Sequence, residues 1–253
     1  MKTGVLAIFL ILMLGGCASE DTGRIDDSPV DTSASAKVHT ELAAIYYGKN
    51  RLSLALEELK YALKMDSGYA PAYSVRGLVY MALHEDGKAE EDFRRSLDID
   101  PTDGGTRNNY GWFLCQRGRE QEAMKQFNDA LRNPLYATPE KAHLNIGQCL
   151  RRYGKNDEAE QALKTALYLQ PGLNEALIDL AEINFARSDY RTANAYLLRL
   201  AKNGAELSAS DLLLAIRIEQ KLGDRNSEAS YRLQLRKRYP DSRENQIIMS
   251  GGR

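Results

Sequence analysis

The sequence has few of the residues that build metal sites and catalytic centres. Its 253 residues include three histidines, three cysteines and one tryptophan. No two histidines have the spacing of a zinc site on one helix face. The G-x-S-x-G, P-loop, G-x-G-x-x-G and H-E-x-x-H motifs are also absent from the sequence. We therefore expect no metal site, no cofactor, no catalytic residues and no small-molecule substrate, and hence no enzyme.

A net charge of either sign is missing as well. The chain has 34 Lys and Arg residues against 35 Asp and Glu residues, for a formal net charge of -1. A neutral chain is not attracted to nucleic acid or to anionic lipid by its overall field. Apolar residues make up 43% of the chain and charged residues 27%, which is ordinary for folded domains. We expect specific contacts with protein partners and no nucleic-acid ligand.

The apolar run near the N-terminus, from Val5 to Leu14, is too short to cross a bilayer as a helix. It follows the basic residue Lys2 and precedes two glycines, which indicates a signal peptide over residues 1–16. The letters LGGC at residues 14–17 resemble the bacterial lipobox, whose cysteine becomes the acylated N-terminus, although glycine is less usual directly after the leucine. The alternative is an ordinary secretory signal that contains a cysteine.

Resemblance to bacterial lipoproteins implies a diacylglyceryl thioether and an N-acyl chain on Cys17. Several acyl chains are needed, because a single chain gives only marginal and reversible membrane binding. Ala18 and Ser19 follow the cysteine, and lipoproteins that lack Asp at the second position are usually sent to the outer membrane. The resemblance therefore implies a lipid-anchored outer-membrane protein that faces the periplasm. Residues 17–36 are acidic and contain no aromatic residue, which predicts a flexible tether.

The rest of the chain repeats itself with a period of about 34 residues. A small residue is followed twelve positions later by Ala five times, with successive steps of 34, 34, 36 and 34 residues. These pairs are Ala43/Ala55, Gly77/Ala89, Gly111/Ala123, Gly147/Ala159 and Ala181/Ala193. Four positions after each Ala comes a larger apolar residue: Leu59, Phe93, Phe127, Leu163 and Leu197. This spacing is the tetratricopeptide pattern.

The repeat predicts an all-α fold, a right-handed superhelical solenoid of about six tetratricopeptide helix hairpins over residues 37–245. The two helices of a hairpin approach closely, so Gly or Ala occupies the crossing and the larger residue fills the space beside it. A single hairpin cannot bury its apolar face and needs neighbours. The sixth unit is weaker, because Ala215 and Ala229 are fourteen positions apart, and we interpret it as a capping repeat. We predict a disordered tail over residues 246–253.

Two cysteines remain after the one in the lipobox. Cys115 and Cys149 fall in the first helices of the third and fourth units, which should be neighbours. In an oxidising periplasm these side chains can form a disulfide. The alternative is two separate buried thiols that behave as small apolar side chains.

The first helices of such repeats line a concave groove. Their groove-facing positions hold mostly apolar residues: Tyr47, Leu78, Met81, Asn108, Trp112, Leu144, Ile178 and Phe185, with Gln148, Arg151 and Glu182 among them. An exposed apolar groove is typical of a surface that binds an amphipathic helix or an extended strand. The alternative is that tight winding of the solenoid buries several of these residues as core.

The chain also resembles a known family beyond the repeat consensus. The segments NNYGWFLCQRGR (108–119), YATPEKAHLNIGQCLRR (136–152) and LLLAIRIEQKLGDRNSEASYRLQLRKRYPDS (212–242) are similar to the type IV pilus biogenesis and stability lipoproteins of the PilF/PilW family. The resemblance implies a pilotin, an outer-membrane anchor that helps the pilus secretin reach the outer membrane and multimerise. It brings no catalytic residues. The alternative function is that of a lipoprotein adaptor for outer-membrane protein assembly or for peptidoglycan enzymes.

Overall fold

The computed structural model describes residues 32–251, and every regular element in that range is an α-helix. Thirteen helices follow one another within these residues: α1 (Thr32–Gly48), α2 (Leu52–Met65), α3 (Ala70–Ala82), α4 (Asp86–Ile99), α5 (Gly104–Gln116), α6 (Glu120–Arg132), α7 (Pro139–Arg152), α8 (Asn156–Leu169), α9 (Asn174–Ala186), α10 (Tyr190–Lys202), α11 (Ala209–Leu222), α12 (Arg225–Arg238) and α13 (Arg243–Met249). The longest of them has 17 residues, and within 32–251 no helix is both long and apolar enough for a membrane span.

The helices pair in chain order into six hairpins, from α1 with α2 to α11 with α12. Each odd-numbered helix also contacts the next odd-numbered helix, and each even-numbered helix up to α10 contacts the first helix of the following hairpin. The buried apolar residues form three successive clusters along this stack. The predicted all-α solenoid of six helix hairpins is confirmed.

The small residue at each helix crossing explains the repeat. A Cβ atom built on Gly77 would lie 2.8 Å from the Phe93 ring, and one built on Gly111 would lie 2.7 Å from the Phe127 ring. Phe93 and Phe127 are both fully buried. The first and second helices of a hairpin can therefore approach this closely only where the first helix lacks a side chain.

The turn inside each hairpin uses one residue in the left-handed region. Gly118 and Gly154 have φ angles of 82° and 73°. At the same repeat position Asn50, His84 and Ser188 adopt φ angles of 55°, 60° and 64° without being glycine. In the sixth hairpin this residue is Gly223, eight positions after Ala215 instead of seven. The longer Ala215-to-Ala229 spacing arises because α11 continues to Leu222, further past its crossing residue than the first helices of the other hairpins do.

The structure differs from the predicted domain limits at both ends. Helix α1 begins at Thr32, inside the segment predicted as a tether, because Ala36 is fully buried and Thr40 Oγ1 donates a hydrogen bond of 2.7 Å to its carbonyl. Residues 243–249 form α13, although we predicted a tail from residue 246. Ser242 caps this helix, and Asn245 Nδ2 donates a bond of 2.8 Å to the Pro240 carbonyl. The predicted signal peptide and Cys17 lie outside the described residues.

Candidate partner-binding surface

The predicted groove residues all lie on the first helices of their hairpins. Tyr47 is on α1, Leu78 and Met81 on α3, Asn108 and Trp112 on α5, Leu144 on α7, and Ile178 and Phe185 on α9. Because α1, α3, α5, α7, α9 and α11 contact one another in succession, they form a continuous layer. We call the side of this layer that carries the groove residues the first-helix face.

The groove residues lie between the two alternatives, an open apolar groove and a buried core. Asn108 is buried and the other seven are half-buried. Leu78, Met81 and Trp112 pack against the central core cluster, and Phe185 packs against the C-terminal cluster. These side chains therefore fill the space between neighbouring first helices while keeping part of their surface available. Their role in binding stays a prediction.

Polar side chains also connect the first helices, in pairs that the repeat pattern does not predict. Asn145 Nδ2 on α7 donates a hydrogen bond of 2.9 Å to Asn108 Oδ1 on α5. Gln148 Nε2 donates a bond of 2.8 Å to Asp179 Oδ2 on α9. In the sequence, these contacts are indicated only by Asn145 and Asp179, which occupy equivalent positions of their repeats, next to positions that hold apolar residues.

Arg151 on α7 is the main charged residue of this network. Its guanidinium lies 2.9 Å from Asp179 Oδ1 and also binds the Glu182 carboxylate on α9. Asp179 is buried. Burial raises the pKa of the Asp179 carboxyl, while the Gln148 amide and the Arg151 guanidinium oppose that rise. The contacts hold α7 and α9 in a fixed register at the first-helix face.

A cleft of about 580 Å³ lies beside this network. Its lining consists of Trp112, Gln116, Gln148, Arg151 and Arg152. We call it the Trp112 cleft. It offers a half-exposed indole wall together with amide and guanidinium hydrogen-bond donors, a combination suited to a peptide segment with both apolar and polar groups.

Cys115 and Cys149 lie on α5 and α7, the two helices whose residues line this cleft. Their sulfur atoms are 2.02 Å apart and their Cα atoms 5.9 Å apart, so the structure joins α5 and α7 by a disulfide. Both residues are fully buried. Tyr153 Oη donates a hydrogen bond of 3.4 Å to the Cys115 carbonyl across the same pair of helices.

The remaining candidates for site chemistry are histidines and acidic groups. Among residues 32–251, no group of three or more His, Cys, Asp and Glu side chains is arranged to hold a metal ion. His39 Nδ1 lies 2.6 Å from Glu58 Oε2, in a contact between α1 and α2. Burial lowers the pKa of His143 on α7. Both histidines occupy packing positions in their hairpins.

Comparison with known families finds the tetratricopeptide repeat in two parts of the chain. The family model described as "Tetratricopeptide repeat" matches residues 70–103 and 140–172. These ranges correspond to the second hairpin and the fourth hairpin, α3 with α4 and α7 with α8.

The chain is also similar along nearly its whole length to proteins of the type IV pilus. It is 27% identical over 245 residues to the type IV pilus assembly protein PilF of Pseudomonas aeruginosa, which covers 95% of each chain. The crystal structure of PilW, a type IV pilus biogenesis factor, is 35% identical, with a TM-score of 0.74, over 85% of this chain and 98% of that one. The solved structure of Pseudomonas aeruginosa PilF is 27% identical, with a TM-score of 0.73, over 87% of this chain and 99% of that one.

Proposed function

The chain belongs to the PilF/PilW family of tetratricopeptide proteins of type IV pilus biogenesis, and we propose that it is a pilotin. In this proposal it is a non-enzymatic outer-membrane lipoprotein that binds subunits of the type IV pilus secretin. Binding promotes the localisation of the secretin to the outer membrane and its multimerisation there. The pilus depends on both steps.

The observation that carries this proposal is the extent of the similarity. A repeat pattern alone is shared by many adaptor proteins, and the repeat model matches only residues 70–103 and 140–172. The similarity to PilF covers 95% of the chain, and the similarity to PilW includes 98% of that structure. The similarity therefore extends well beyond the two hairpins that the repeat model matches.

The lipid anchor at Cys17 supplies the membrane attachment in the proposal. Helix α1 begins at Thr32, fifteen residues after Cys17. Fifteen residues of fully extended chain span at most about 50 Å. An acylated Cys17 would thus keep the first hairpin within that distance of the bilayer that the secretin must enter.

The first-helix face supplies the binding surface in the proposal. It carries half-exposed apolar side chains along α3, α5 and α9 and hydrogen-bonding groups around the Trp112 cleft. Such a surface suits an extended or helical segment of a protein. Anchored copies hold bound secretin subunits near one another, which raises their local concentration, on the order of mM for short linkers, and favours multimerisation.

The experiment measures secretin multimers in outer-membrane fractions of cells that lack the gene and carry one variant each. Cys17→Ser removes the acylation site, and we expect the protein to leave the outer membrane and the multimer to be lost. Trp112→Ala and Arg152→Ala alter the Trp112 cleft. For Trp112→Ala we expect secretin binding to weaken about tenfold or more, the size typical of a central aromatic contact, and the multimer to be reduced accordingly.

The matched control is Tyr168→Ala on α8. Tyr168 is 85% exposed and lies on a second helix, away from the first-helix face. We expect this variant to behave as the wild type. Normal secretin multimers without the gene contradict the proposal, and capture of an outer-membrane assembly factor or a peptidoglycan enzyme instead of the secretin supports the adaptor function.

A further inference from the structure

A second cleft on the first-helix face lies between α9 and α11. Its volume is about 540 Å³, and its lining consists of Phe185, Arg217, Gln220 and Lys221. We call it the Phe185 cleft. The half-buried Phe185 packs against Tyr190, with ring centroids 5.5 Å apart. Arg217 and Lys221 are one helical turn apart on α11, so their side chains lie on the same side of that helix.

The two cations of the Phe185 cleft have no carboxylate partner among residues 32–251. This distinguishes them from Arg117 and Arg187, the cations that follow α5 and α9. Arg117 lies 2.6 Å from Asp86, and Arg187 binds Asp157 and Glu160. Two like charges one turn apart on a helix repel each other mildly, so this arrangement favours the binding of an anion between them.

The carboxylates on the neighbouring helices are buried or already bound elsewhere. Glu219, on the same helix as both cations, is only 3% exposed. Glu182 binds Arg151. Glu228 accepts hydrogen bonds of 3.0 Å from Gln220 and 2.7 Å from Arg232. Asp224 caps α12 by accepting bonds from the backbone N–H groups of its first turn. No acidic residue of the described range 32–251 thus lines this cleft.

We propose that the Phe185 cleft binds an acidic side chain of the partner together with an adjacent apolar side chain. The guanidinium of Arg217 and the ammonium of Lys221 would bind the carboxylate, since charge-assisted hydrogen bonds of this kind are the strong ones. The ring of Phe185 would cover the apolar neighbour. This inference rests on the proposed function, because the partner that it describes is a secretin subunit.

The test measures the binding of the purified periplasmic region of the secretin to the full-length mature protein in detergent. The charge-reversing variant is Arg217→Glu/Lys221→Glu. We expect its Kd to rise about tenfold or more, and the dependence of the Kd on salt to weaken, because charge pairs at an interface give much of that dependence.

The matched control is Arg225→Glu/Lys237→Glu on α12. It changes the net charge by the same amount at two exposed positions outside the cleft. We expect its Kd to stay within about twofold of the wild type, and circular dichroism melting to show that all variants are folded. An equal loss of binding in the control contradicts a specific site.

Two outcomes separate this inference from the proposed function. A wild-type protein that does not bind the secretin contradicts both. A wild-type protein and a charge-reversed variant that bind equally well contradict the Phe185 cleft alone.

A photocrosslinking amino acid in place of Phe185 provides a second readout. We expect mass spectrometry to identify a crosslinked secretin segment that has Asp or Glu next to an apolar residue. A crosslinked segment without an acidic residue overturns the inference.

Discussion

A Cβ atom on Gly147 of α7 would lie 2.5 Å from Cγ of Leu163 on α8, and 3.2 Å from the carbonyl oxygen of Ala159. Leu163 and Ala159 are fully buried, so neither has free space to move into. The two helices of the fourth hairpin therefore pack so closely at Gly147 that no side chain fits there. The same relationship repeats at Gly77 and Gly111.

Gly147→Ala is expected to destabilise the fold although Ala is the better helix former. The added methyl must push Leu163 or separate α7 from α8, and overpacking of this kind costs about 1–3 kcal/mol. Urea unfolding followed by circular dichroism measures the change in the free energy of unfolding.

The control for this substitution is Gly87→Ala on α4. A Cβ atom on Gly87 would have no neighbour within 4 Å, so here the helix propensity of Ala acts alone and we expect a gain of up to about 1 kcal/mol. If Gly147→Ala and Gly87→Ala change the stability by the same amount and in the same direction, the close helix crossing does not limit the fourth hairpin.

The helix crossings could be predicted from the sequence because packing makes them periodic. Small residues at Gly77, Gly111 and Gly147 recur at the repeat interval, since every hairpin has the same crossing. The residues with a left-handed backbone conformation in the turns could be predicted only in part from the sequence. Gly118 and Gly154 are obvious from the sequence, whereas Asn50, His84 and Ser188 adopt the same conformation without being glycine.

The polar network of the first-helix face was not predictable in the same way. Gln148 and Asp179 are 31 residues apart on separate helices, and their contact depends on how far α9 is rotated against α7. A repeat pattern fixes which helices are neighbours but not the side-chain pairs between them.

The ends of the solenoid could not be predicted from the repeat pattern either. Helix α1 extends to Thr32 through small residues, and α13 is a helix that the repeat does not contain.

We predict that the protein purified without a reductant holds a disulfide between Cys115 and Cys149. The bond closes a loop with a sequence separation of 34 residues. In the loop-entropy account such a bond stabilises the fold by about 3–4 kcal/mol. Urea unfolding with and without a reductant should show a difference of this order.

The variant Cys115→Ala/Cys149→Ala provides the control for the reductant. We expect its stability to be close to that of the reduced wild type and insensitive to the reductant. Intact-mass measurement after alkylation under non-reducing conditions checks the bond itself, and a mass that corresponds to two free thiols contradicts it.

Glu219 on α11 makes the stability of the sixth hairpin depend on pH. Its side chain is only 3% exposed. Burial raises the pKa of the Glu219 carboxyl above its ordinary value of 4.5, the nearby charge of Asp224 raises it further, and a hydrogen bond from the Asn194 side chain only partly offsets both. The folded protein therefore binds this proton more tightly than the unfolded chain does.

The sign of the effect follows from this difference in proton affinity. At a pH below the ordinary value of 4.5 the carboxyl is protonated in both states, and its contribution to stability is fully present. As the pH rises through the folded pKa, the unfolded chain has already lost the proton and the folded protein must give it up in a buried site. Stability from Glu219 is thus lost on going from acidic to neutral pH.

Glu219→Gln should remove this loss, because the amide stays neutral at every pH. The amide can also donate to Asn194 Oδ1, a buried acceptor without a hydrogen-bond partner. We expect the variant to be more stable than the wild type at about pH 8 by roughly 1 kcal/mol, and the difference to shrink at about pH 5. Urea unfolding at several pH values across this range measures the difference in stability.

The exposed carboxylate of Glu91 on α4 is the control, since Glu91→Gln should leave the stability unchanged at both pH values. A Glu219→Gln variant whose stability follows that of the wild type at both ends of the range would mean that Glu219 has no raised pKa in the fold.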